Sequence, residues 1–352
     1  MATRVAVLDD YHGLARSHFD KLNTSLYAIE YFPETLRPYD HPDTPQAERD
    51  ELAKRLEPFA VIATMRERTA FPKELIERLP RLKLLLSCGR RNGSIDMDAC
   101  RARGIPVTAT EDKTATDGTD EHIVSMILAA FHNIAPNDAA VKAGKWQTSL
   151  VVPVSGKTLG LVGLRRLGGS VARTMSVAFQ MKIIAWSPNL IQDAADEQAR
   201  SQGLPVEGPG GDKTFKAVSR EELFAASDVV SVNMVLSDRS RGLITGQDLA
   251  RMKPSAFFVN TARGPLVVEQ DLLRVLRDGK IAGAALDVFD LEPLPKDSEW
   301  RNPDWGTNGK SQVLLSPHVG FVEEGRLNGF YEQQVADLAR WSDGKALRKT
   351  MY

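Results

Sequence analysis

The sequence is poor in cysteine. Its 352 residues include only two, Cys88 and Cys100, and neither lies at metal-ligand spacing from a histidine. Two cysteines cannot form a disulfide framework, so we expect a reducing compartment, the cytoplasm, and two buried apolar thiols. We expect no bound metal.

Long apolar runs and an excess of charge of one sign are also missing. No stretch approaches the roughly 18 apolar residues that a membrane-spanning helix needs, and the N-terminus lacks the features of a secretory signal. The 45 Lys and Arg residues balance 46 Asp and Glu residues, which leaves a net charge of -1. Nucleic acid and membrane are therefore excluded as expected partners.

The chain is longer than one hydrophobic core usually supports, so we expect two domains. Short apolar strands alternate with helical segments throughout, which predicts parallel α/β sheets, with at least five strands in the second half of the chain.

Residues 201–216 are rich in Gly and Pro and are predicted to form a surface loop. Residues 110–119 are predicted to form a hinge. Asp9 and Asp10 close the first predicted strand and are expected to cap a turn rather than to act as a catalytic pair.

A glycine turn lies in the stretch 156–188, which has the pattern strand, turn, helix, strand. Gly163 and Gly168 occupy the first and third positions of the GxGxxG fingerprint, and Arg165 occupies the second. Such a turn places a dinucleotide pyrophosphate at a helix N-terminus. Because the fingerprint is incomplete, a structural turn without a ligand is the alternative.

Polar residues follow the last three predicted strands, where the carboxyl ends of a parallel sheet meet at one edge. Arg263 can hold a carboxylate and polarise a ketone. His318 can donate a proton near neutral pH, and Glu292 can orient it and favour its charged form. Taken singly, each also fits an unremarkable role: a surface arginine, a core histidine, a helix-capping glutamate.

A loop earlier in the chain offers a second place for an anion. The strand at 82–87 ends in Cys88-Gly89-Arg90-Arg91. Gly89 could present a bare amide to a substrate carboxylate, with Arg66 or Arg91 as the charged partner. The alternative for each arginine is a solvated surface position.

Four segments in this order, GLVGLRRLG, FVNTARGPLV, GAALDVFDLEPLP and SPHVG, resemble those of the D-isomer-specific 2-hydroxyacid dehydrogenases. The resemblance implies two Rossmann-like, doubly wound parallel-sheet domains. A dinucleotide-binding domain, residues 113–320, would be inserted into a discontinuous substrate domain, residues 1–112 and 321–352. It also implies a homodimer that reduces a 2-oxo acid to a D-2-hydroxy acid with NAD(P)H.

The resemblance assigns roles to individual residues. Arg263, Glu292 and His318 match the catalytic residues of the family, and Arg66 and Gly89 would lie at the substrate carboxylate, with Arg91 nearby. Asp287 would lie near the nicotinamide carboxamide. The full set of predicted cofactor contacts is Gly163, Arg165, Arg166, Leu167, Gly168, Ser187, Asn233, Thr261, Ala262 and Asp287.

The chain departs from the family's pattern at three positions. Gln180 stands where relatives usually have glycine. Ser187 replaces the acidic residue that binds the adenosine ribose of NAD, which predicts a modest preference for NADP(H) over NAD(H). Arg165 is expected to crowd the pyrophosphate and weaken cofactor binding, unless it pairs with the phosphates. Two alternatives to a reductase therefore stay open: a non-enzymatic dinucleotide-sensing partner protein and a repurposed fold that uses the same Arg263, Glu292 and His318 for non-redox chemistry.

Overall fold

The computed structural model describes residues 2–111, 118–208 and 210–352, and these residues fold as alternating strands and helices. The strands are β1 Thr3–Leu8, β2 Tyr27–Phe32, β3 Val61–Ala63, β4 Leu84–Leu86, β5 Val107–Thr108, β6 Thr158–Val162, β7 Lys182–Trp186, β8 Phe215–Ala217, β9 Val229–Val232, β10 Phe257–Asn260, β11 Gly283–Leu286 and β12 Gln312–Leu315.

The α-helices are α1 Arg16–Phe19, α2 Gln46–Leu56, α3 Lys73–Glu77, α4 Met97–Ala102, α5 Gly118–Phe131, α6 Ile134–Lys142, α7 Arg166–Phe179, α8 Gln192–Ser201, α9 Arg220–Ala226, α10 Gly246–Leu249, α11 Glu269–Arg277 and α12 Glu324–Ser342. Two 3-10 turns, Gly264–Leu266 and Glu299–Arg301, complete the set. Within the described ranges, no helix has the length and apolar character needed to span a membrane.

The chain divides into two compact units. The first unit comprises Met1–Thr116, Leu291–Pro293 and Val322–Tyr352, and the second comprises Asp117–Asp290 and Leu294–Phe321. The predicted hinge at 110–119 and the predicted domain boundary at 112/113 fall largely on residues 112–117, outside the described residues.

The first unit is built on a five-stranded parallel sheet of order β2-β1-β3-β4-β5. Its central strands are short and fully apolar, and Ile62 and Leu85 pack with Leu56, Phe71 and Leu75 from the flanking helices and loops. Both cysteines are buried, as the sequence predicts. The sequence missed β2, because this edge strand is partly exposed and its pattern is mixed.

The second unit is built on a seven-stranded parallel sheet of order β12-β11-β10-β9-β6-β7-β8. Adjacent residues face opposite cores: Val229 belongs to one apolar cluster and Val230 to the other. Both faces are therefore covered, which is why these strands are continuously apolar. The winding direction reverses between β6 and β9, and ligands bind at this kind of switch point in open α/β sheets.

These two parallel sheets confirm the predicted fold class. One prediction is wrong: the segment 201–216 is not a loop to its end, because Phe215 and Lys216 begin β8 and Phe215 is buried. A three-residue edge strand has too few residues to show a periodic pattern.

Candidate active site

The glycine turn joins β6 to α7 in the geometry that the fingerprint requires at two of its three positions. Gly163 has a φ of +100°, which side-chain-bearing residues rarely adopt. A Cβ at Gly168 would lie 2.2 Å from the carbonyl oxygen of Gly163, so only glycine permits this close approach of helix and strand. Leu167, which precedes Gly168 in the sequence, is half-buried.

The middle position of the fingerprint does not need glycine in this chain. Arg165 is the N-cap of α7 with a φ of -87° and a ψ of -154°, an extended conformation open to any residue. Its side chain and that of Arg166 are exposed. The turn therefore accommodates the arginine without backbone strain and places two cations at a helix N-terminus, where anions bind.

Two buried side-chain oxygens in the loops that follow β9 and β10 have no hydrogen-bond partner among the described residues. They are Oδ1 of Asn233, which follows β9, and Oγ1 of Thr261, which follows β10. Asn233 adjoins the turn, because a Cβ at Gly163 would lie 3.0 Å from the Asn233 carbonyl oxygen. Buried polar groups are normally paired, so these two atoms fit a polar ligand at the switch point. The residues present thus suit a dinucleotide.

Arg263 lies in the loop that follows β10, beside Thr261 and Ala262. The Asn260 side chain organises this loop: its Nδ2 donates to the Arg263 carbonyl at 3.0 Å and its Oδ1 accepts from the Ala262 amide at 3.1 Å. A Cβ at Gly264 would lie 2.0 Å from the Phe289 carbonyl. Glycine after Arg263 therefore lets the loops that follow β10 and β11 approach each other.

Asp287 and His318 are brought together in the second unit. The His318 amide donates to the Asp287 carbonyl at 2.7 Å, and His318 itself has a φ of +52°. The Asp287 carboxylate accepts from the Val319 and Gly320 amides, each at 3.0 Å. Asp287 is 1% exposed, so the sequence-predicted cofactor contact also fixes the backbone around the predicted acid.

Two residues that the sequence analysis missed complete this network. The Ser316 hydroxyl donates to Asp287 at 2.5 Å, and Nε2 of His122 on α5 lies 3.3 Å from both Asp287 Oδ1 and Ser316 Oγ. Burial alone would raise the pKa of Asp287, but the hydrogen bonds from His122, Ser316 and Val319 outweigh it and leave the pKa below its ordinary value. Only Ser316 had a sequence signal, its place at a strand end.

The first unit contains the predicted carboxylate site. Arg66 follows β3 with a φ of +54°, and Gly89 follows β4 with a φ of +86°. A Cβ at Gly89 would lie 2.7 Å from the guanidinium of Arg66. The Gly89 amide donates to Thr110 Oγ1 at 2.7 Å, so it is not the bare amide that the sequence predicted. Gly89 instead makes room for Arg66.

Asn92, another residue that the sequence analysis passed over, ties this loop to Arg66. Its Nδ2 donates to the Arg66 carbonyl at 2.7 Å, and its Oδ1 accepts from the amide and hydroxyl of Ser94. Asparagine before glycine is an ordinary turn signal, which hides this role. Arg91, the other predicted ligand, is exposed.

Two further predicted site residues stand apart from these groups. Glu292 belongs to the short segment Leu291–Pro293 of the first unit, so its pairing with His318 stays a prediction. Ser187 directly follows β7, where the ribose-binding acid of an NAD site would lie, and its carbonyl accepts from the Leu190 amide at 3.0 Å. No cluster of His, Cys, Asp or Glu suited to a metal occurs in the described part of the chain.

Comparison with known proteins gives consistent results. Residues 124–320 match the sequence profile described as D-isomer specific 2-hydroxyacid dehydrogenase, NAD binding domain. The chain is 30% identical over 282 residues to a glyoxylate reductase from Thermococcus litoralis, with 78% of each chain covered. It is 32% identical over 275 residues to a hydroxypyruvate reductase from Thermotoga maritima, covering 78% of this chain and 81% of that protein.

Solved structures share the whole architecture. The crystal structure of a phosphoglycerate oxidoreductase from Vibrio cholerae superposes with a TM-score of 0.79 at 28% identity, covering 97% of this chain and 99% of that one. The similarity therefore extends over both units rather than over the glycine turn alone.

Proposed function

This chain belongs to the D-isomer specific 2-hydroxyacid dehydrogenase family, and from that premise we propose that it reduces a 2-oxo acid to a D-2-hydroxy acid with NAD(P)H. One observation supports the proposal above others. The parallel strands of the second unit end at one edge, and this edge carries the glycine turn, Arg263 and His318. Phosphate-binding, carbonyl-polarising and proton-donating groups thus follow strands of one sheet.

The chemistry divides among the side chains as follows. When bound, NAD(P)H supplies the hydride that reduces the carbonyl carbon. The imidazolium of His318 gives its proton to the carbonyl oxygen, which becomes the hydroxyl of the product. Arg263 makes charge-assisted hydrogen bonds with the substrate and polarises its ketone. Glu292 keeps His318 in its protonated form, and Arg66 binds the carboxylate.

The residues around the turn would hold the cofactor. Gly163 permits the tight turn and Gly168 the close packing of α7 on β6, so that the pyrophosphate would meet the helix N-terminus, where Arg165 and Arg166 add positive charge. Asn233 and Thr261 supply the buried oxygens that have no partner in the described part of the chain. Because glycine is dispensable at position 165, the altered fingerprint is compatible with binding.

An oxidation assay tests the activity. We expect the purified protein to oxidise NADPH or NADH in the presence of at least one member of a panel of glyoxylate, hydroxypyruvate and aryl pyruvates. His318→Ala is the matched control and should bind cofactor without turnover. Cofactor binding by the parent with no turnover on any substrate would instead favour a dinucleotide-sensing protein.

A preference for NADP(H) is the finer part of the proposal. Ser187 offers no carboxylate to repel a 2′-phosphate. The guanidinium of Arg220 lies over the Trp186 ring at 5.2 Å, and its Nε and Nη2 bind the Asp248 carboxylate, which offsets its charge. Ser187→Asp should shift the ratio of kcat/KM toward NADH, with Ser187→Ala as the control. An unchanged ratio would place the ribose elsewhere.

A homodimer is the proposed assembly. Helix α6 has no buried residue, and the segment after it exposes large apolar side chains, among them Trp146 at 79% and Leu150 at 90%. Trp146 is thus not a core residue, and its exposure fits a contact between subunits. Leu150→Glu should yield monomers in sedimentation, whereas Val235→Glu, at another exposed apolar position of the second unit, should not. Monomeric parent protein would refute the assembly.

A further inference from the structure

The Asp287 carboxylate has more hydrogen-bond donors than the proposed reaction requires. Its side chain accepts from Ser316, Val319, Gly320 and His122. Three of these donors belong to one loop, Ser316 to Gly320, which contains His318. Among the described residues, His122 is the one donor that reaches Asp287 from outside that loop, and it lies on α5.

The loop needs this support because its backbone is strained. His318 adopts a φ of +52°, a conformation that costs a non-glycine residue free energy and persists only where the surroundings enforce it. Asp287 supplies three backbone contacts of this kind: its carbonyl oxygen accepts from the His318 amide at 2.7 Å, and its carboxylate oxygens accept from the next two amides. The position of the His318 ring therefore depends on where the Asp287 carboxylate is fixed.

His122 contacts both Asp287 and Ser316 from helix α5. Its Nε2 lies 3.3 Å from both Asp287 Oδ1 and Ser316 Oγ. Because Ser316 donates its own hydrogen to Asp287, the hydroxyl oxygen and the carboxylate are both acceptors, and Nε2 of His122 must carry the proton. A Cβ at Gly320 would lie 3.1 Å from Cδ2 of His122 and 3.2 Å from Asp287 Oδ2. The absence of a side chain at Gly320 thus keeps the imidazole and the loop in direct contact.

From these contacts we infer that His122 is a positioning residue for His318, and that it acts through Asp287 and Ser316. The inference rests on the proposed function, in which His318 is the proton donor. The Nε2–H group anchors the Asp287 carboxylate to α5, the carboxylate in turn fixes the two residues that follow His318, and the Asp287 carbonyl binds the His318 amide itself. His122 does not need to contact the substrate for this role.

Three variants separate the hydrogen bond from the bulk of the ring. His122→Gln keeps an N–H donor at a similar reach, and His122→Leu keeps the volume but removes the donor. His18→Leu is the matched control, because His18 is also half-buried with one side-chain partner, Asn328, but lies in the first unit. Thermal melts of each variant establish that it is folded, and Ser316→Ala replaces His122→Leu if the latter does not fold.

Kinetics provide the first readout. A misplacement of about 1 Å can cost on the order of 10²-fold in rate, so we expect His122→Leu to lower kcat on the order of 10-fold with little change in the KM of the 2-oxo acid. His122→Gln should restore most of the loss, and His18→Leu should show none. Equal losses in the Gln and Leu variants, or an equal loss in His18→Leu, would overturn the inference.

Proton NMR of the imidazole rings provides a second readout that needs no turnover. The chain has six histidines, so the His318 signal can be assigned by comparison with His318→Gln. We expect this signal to shift or broaden in His122→Leu and to stay in place in His122→Gln. If the parent reduces no 2-oxo acid, the proposed function fails but the NMR comparison still decides whether His122 positions His318. An unmoved His318 signal in His122→Leu would refute the positioning role.

Discussion

The carboxyl edges of the two parallel sheets differ in the contacts that fix their loops. In the first unit, the loops that follow three neighbouring strands each contain a left-handed residue: Asp9 directly after β1, Arg66 three residues after the end of β3, and Gly89 three residues after the end of β4, with φ between +54° and +86°. In the second unit, left-handed residues also occur, at Gly163 directly after β6 and at His318, and the loop around His318 is held by hydrogen bonds to the buried Asp287. Left-handed backbone therefore occurs at both edges, and the edges differ in the contacts that fix it.

Each edge also contains a buried aspartate, and the two differ in the direction of their pKa shifts. Asp9 is 3% exposed and accepts from the hydroxyls of Thr35 and Thr69. Burial raises the pKa of Asp9. The hydrogen bonds from the two hydroxyls and the charges of the nearby Arg68 and Arg55 offset only part of this rise. Asp287 adds an imidazole and two backbone amides to its hydroxyl donor, and its pKa is lowered. The number and kind of N–H donors therefore decide which form of a buried carboxyl the fold favours.

The largest effect expected from this comparison is on catalysis. If proton chemistry belongs to the second edge, His318→Ala should lower kcat/KM about 10²- to 10⁴-fold, the usual contribution of a general acid. Asp9→Asn should cost less than about 10-fold, because Asn keeps a side-chain oxygen that accepts from the Thr35 and Thr69 hydroxyls and removes a charge that burial disfavours. Steady-state kinetics at saturating cofactor make the measurement. Comparable losses in the two variants would remove the distinction between the edges.

The next effect concerns stability at neutral pH. Asp287→Asn replaces an anion that accepts four hydrogen bonds, and removing one partner of a buried charged network typically costs about 3 kcal/mol. Asp9→Asn should cost less than about 1 kcal/mol, within the range of a neutral hydrogen-bond change. Urea unfolding at pH 7 measures both. A larger penalty for Asp9→Asn than for Asp287→Asn would contradict the assigned pKa directions.

The sequence predicted the elements with strong local signals. The βαβ unit around Gly163 and Gly168 was correct because a glycine turn between two apolar strands is a short-range pattern. The edge strands β2 and β8 were missed since exposure breaks the periodicity of the first and the second has three residues. Gln180 was recognised as a departure from an expected glycine, and its φ of +55° is the left-handed conformation that glycine adopts most readily at the end of a helix.

The candidate site was only partly predictable. Arg263 and His318 lie in recognisable segments, and the parallel order of strands brings them to one edge. His122 and Asn92 could not be predicted, because their roles depend on contacts across large gaps in sequence: His122 with Asp287 and Ser316, and Asn92 with the backbone of Arg66. The extended conformation of Arg165 likewise depends on how α7 meets the sheet.

The pH dependence of stability tests the two pKa directions separately. Asp287 has a lowered pKa in the folded state, so its stabilisation is complete above the unfolded value of about 3.9 and is lost as pH falls through the folded value. Asp9 has a raised pKa, so its contribution decreases as pH rises from about 3.9 through the folded value. Unfolding free energies between pH 2 and pH 8 should show the penalty of Asp287→Asn growing with pH below about pH 4, by on the order of 1 kcal/mol, and that of Asp9→Asn shrinking with pH above about pH 4.

Parallel pH dependences in the two variants would mean that both carboxyls favour the same form. Asp248, also in the second unit, supplies the control. Burial alone would raise its pKa, but the hydrogen bonds from Arg220 and Thr245 outweigh burial and lower the pKa. Asp248→Asn should follow Asp287→Asn in sign.

The smallest effect is expected at Arg165, which contrasts with Arg66 as a proposed anion ligand. Arg66 is half-buried with a left-handed backbone, whereas Arg165 is exposed and extended. The sequence alone favoured crowding of the pyrophosphate by the arginine. The extended N-cap geometry reduces this steric cost, because the stem can lie in solvent while the guanidinium stays within reach of an anion. We therefore expect Arg165→Ala to weaken NAD(P)H binding about two- to fivefold, equivalent to less than ~1 kcal/mol.

Comparison of alanine with glycine at this position separates charge from crowding. Arg165→Ala removes the cation and keeps the Cβ, whereas Arg165→Gly removes both. If the cation is what matters, titration of NADPH should give both variants the same weaker Kd, with Arg173→Ala, an exposed arginine farther along α7, unchanged. Tighter binding by Arg165→Gly than by Arg165→Ala would show that the Cβ itself obstructs the cofactor. A glycine variant that binds more tightly than the parent would restore the crowding interpretation, because the loss of the charge would then be outweighed by the space gained at the turn.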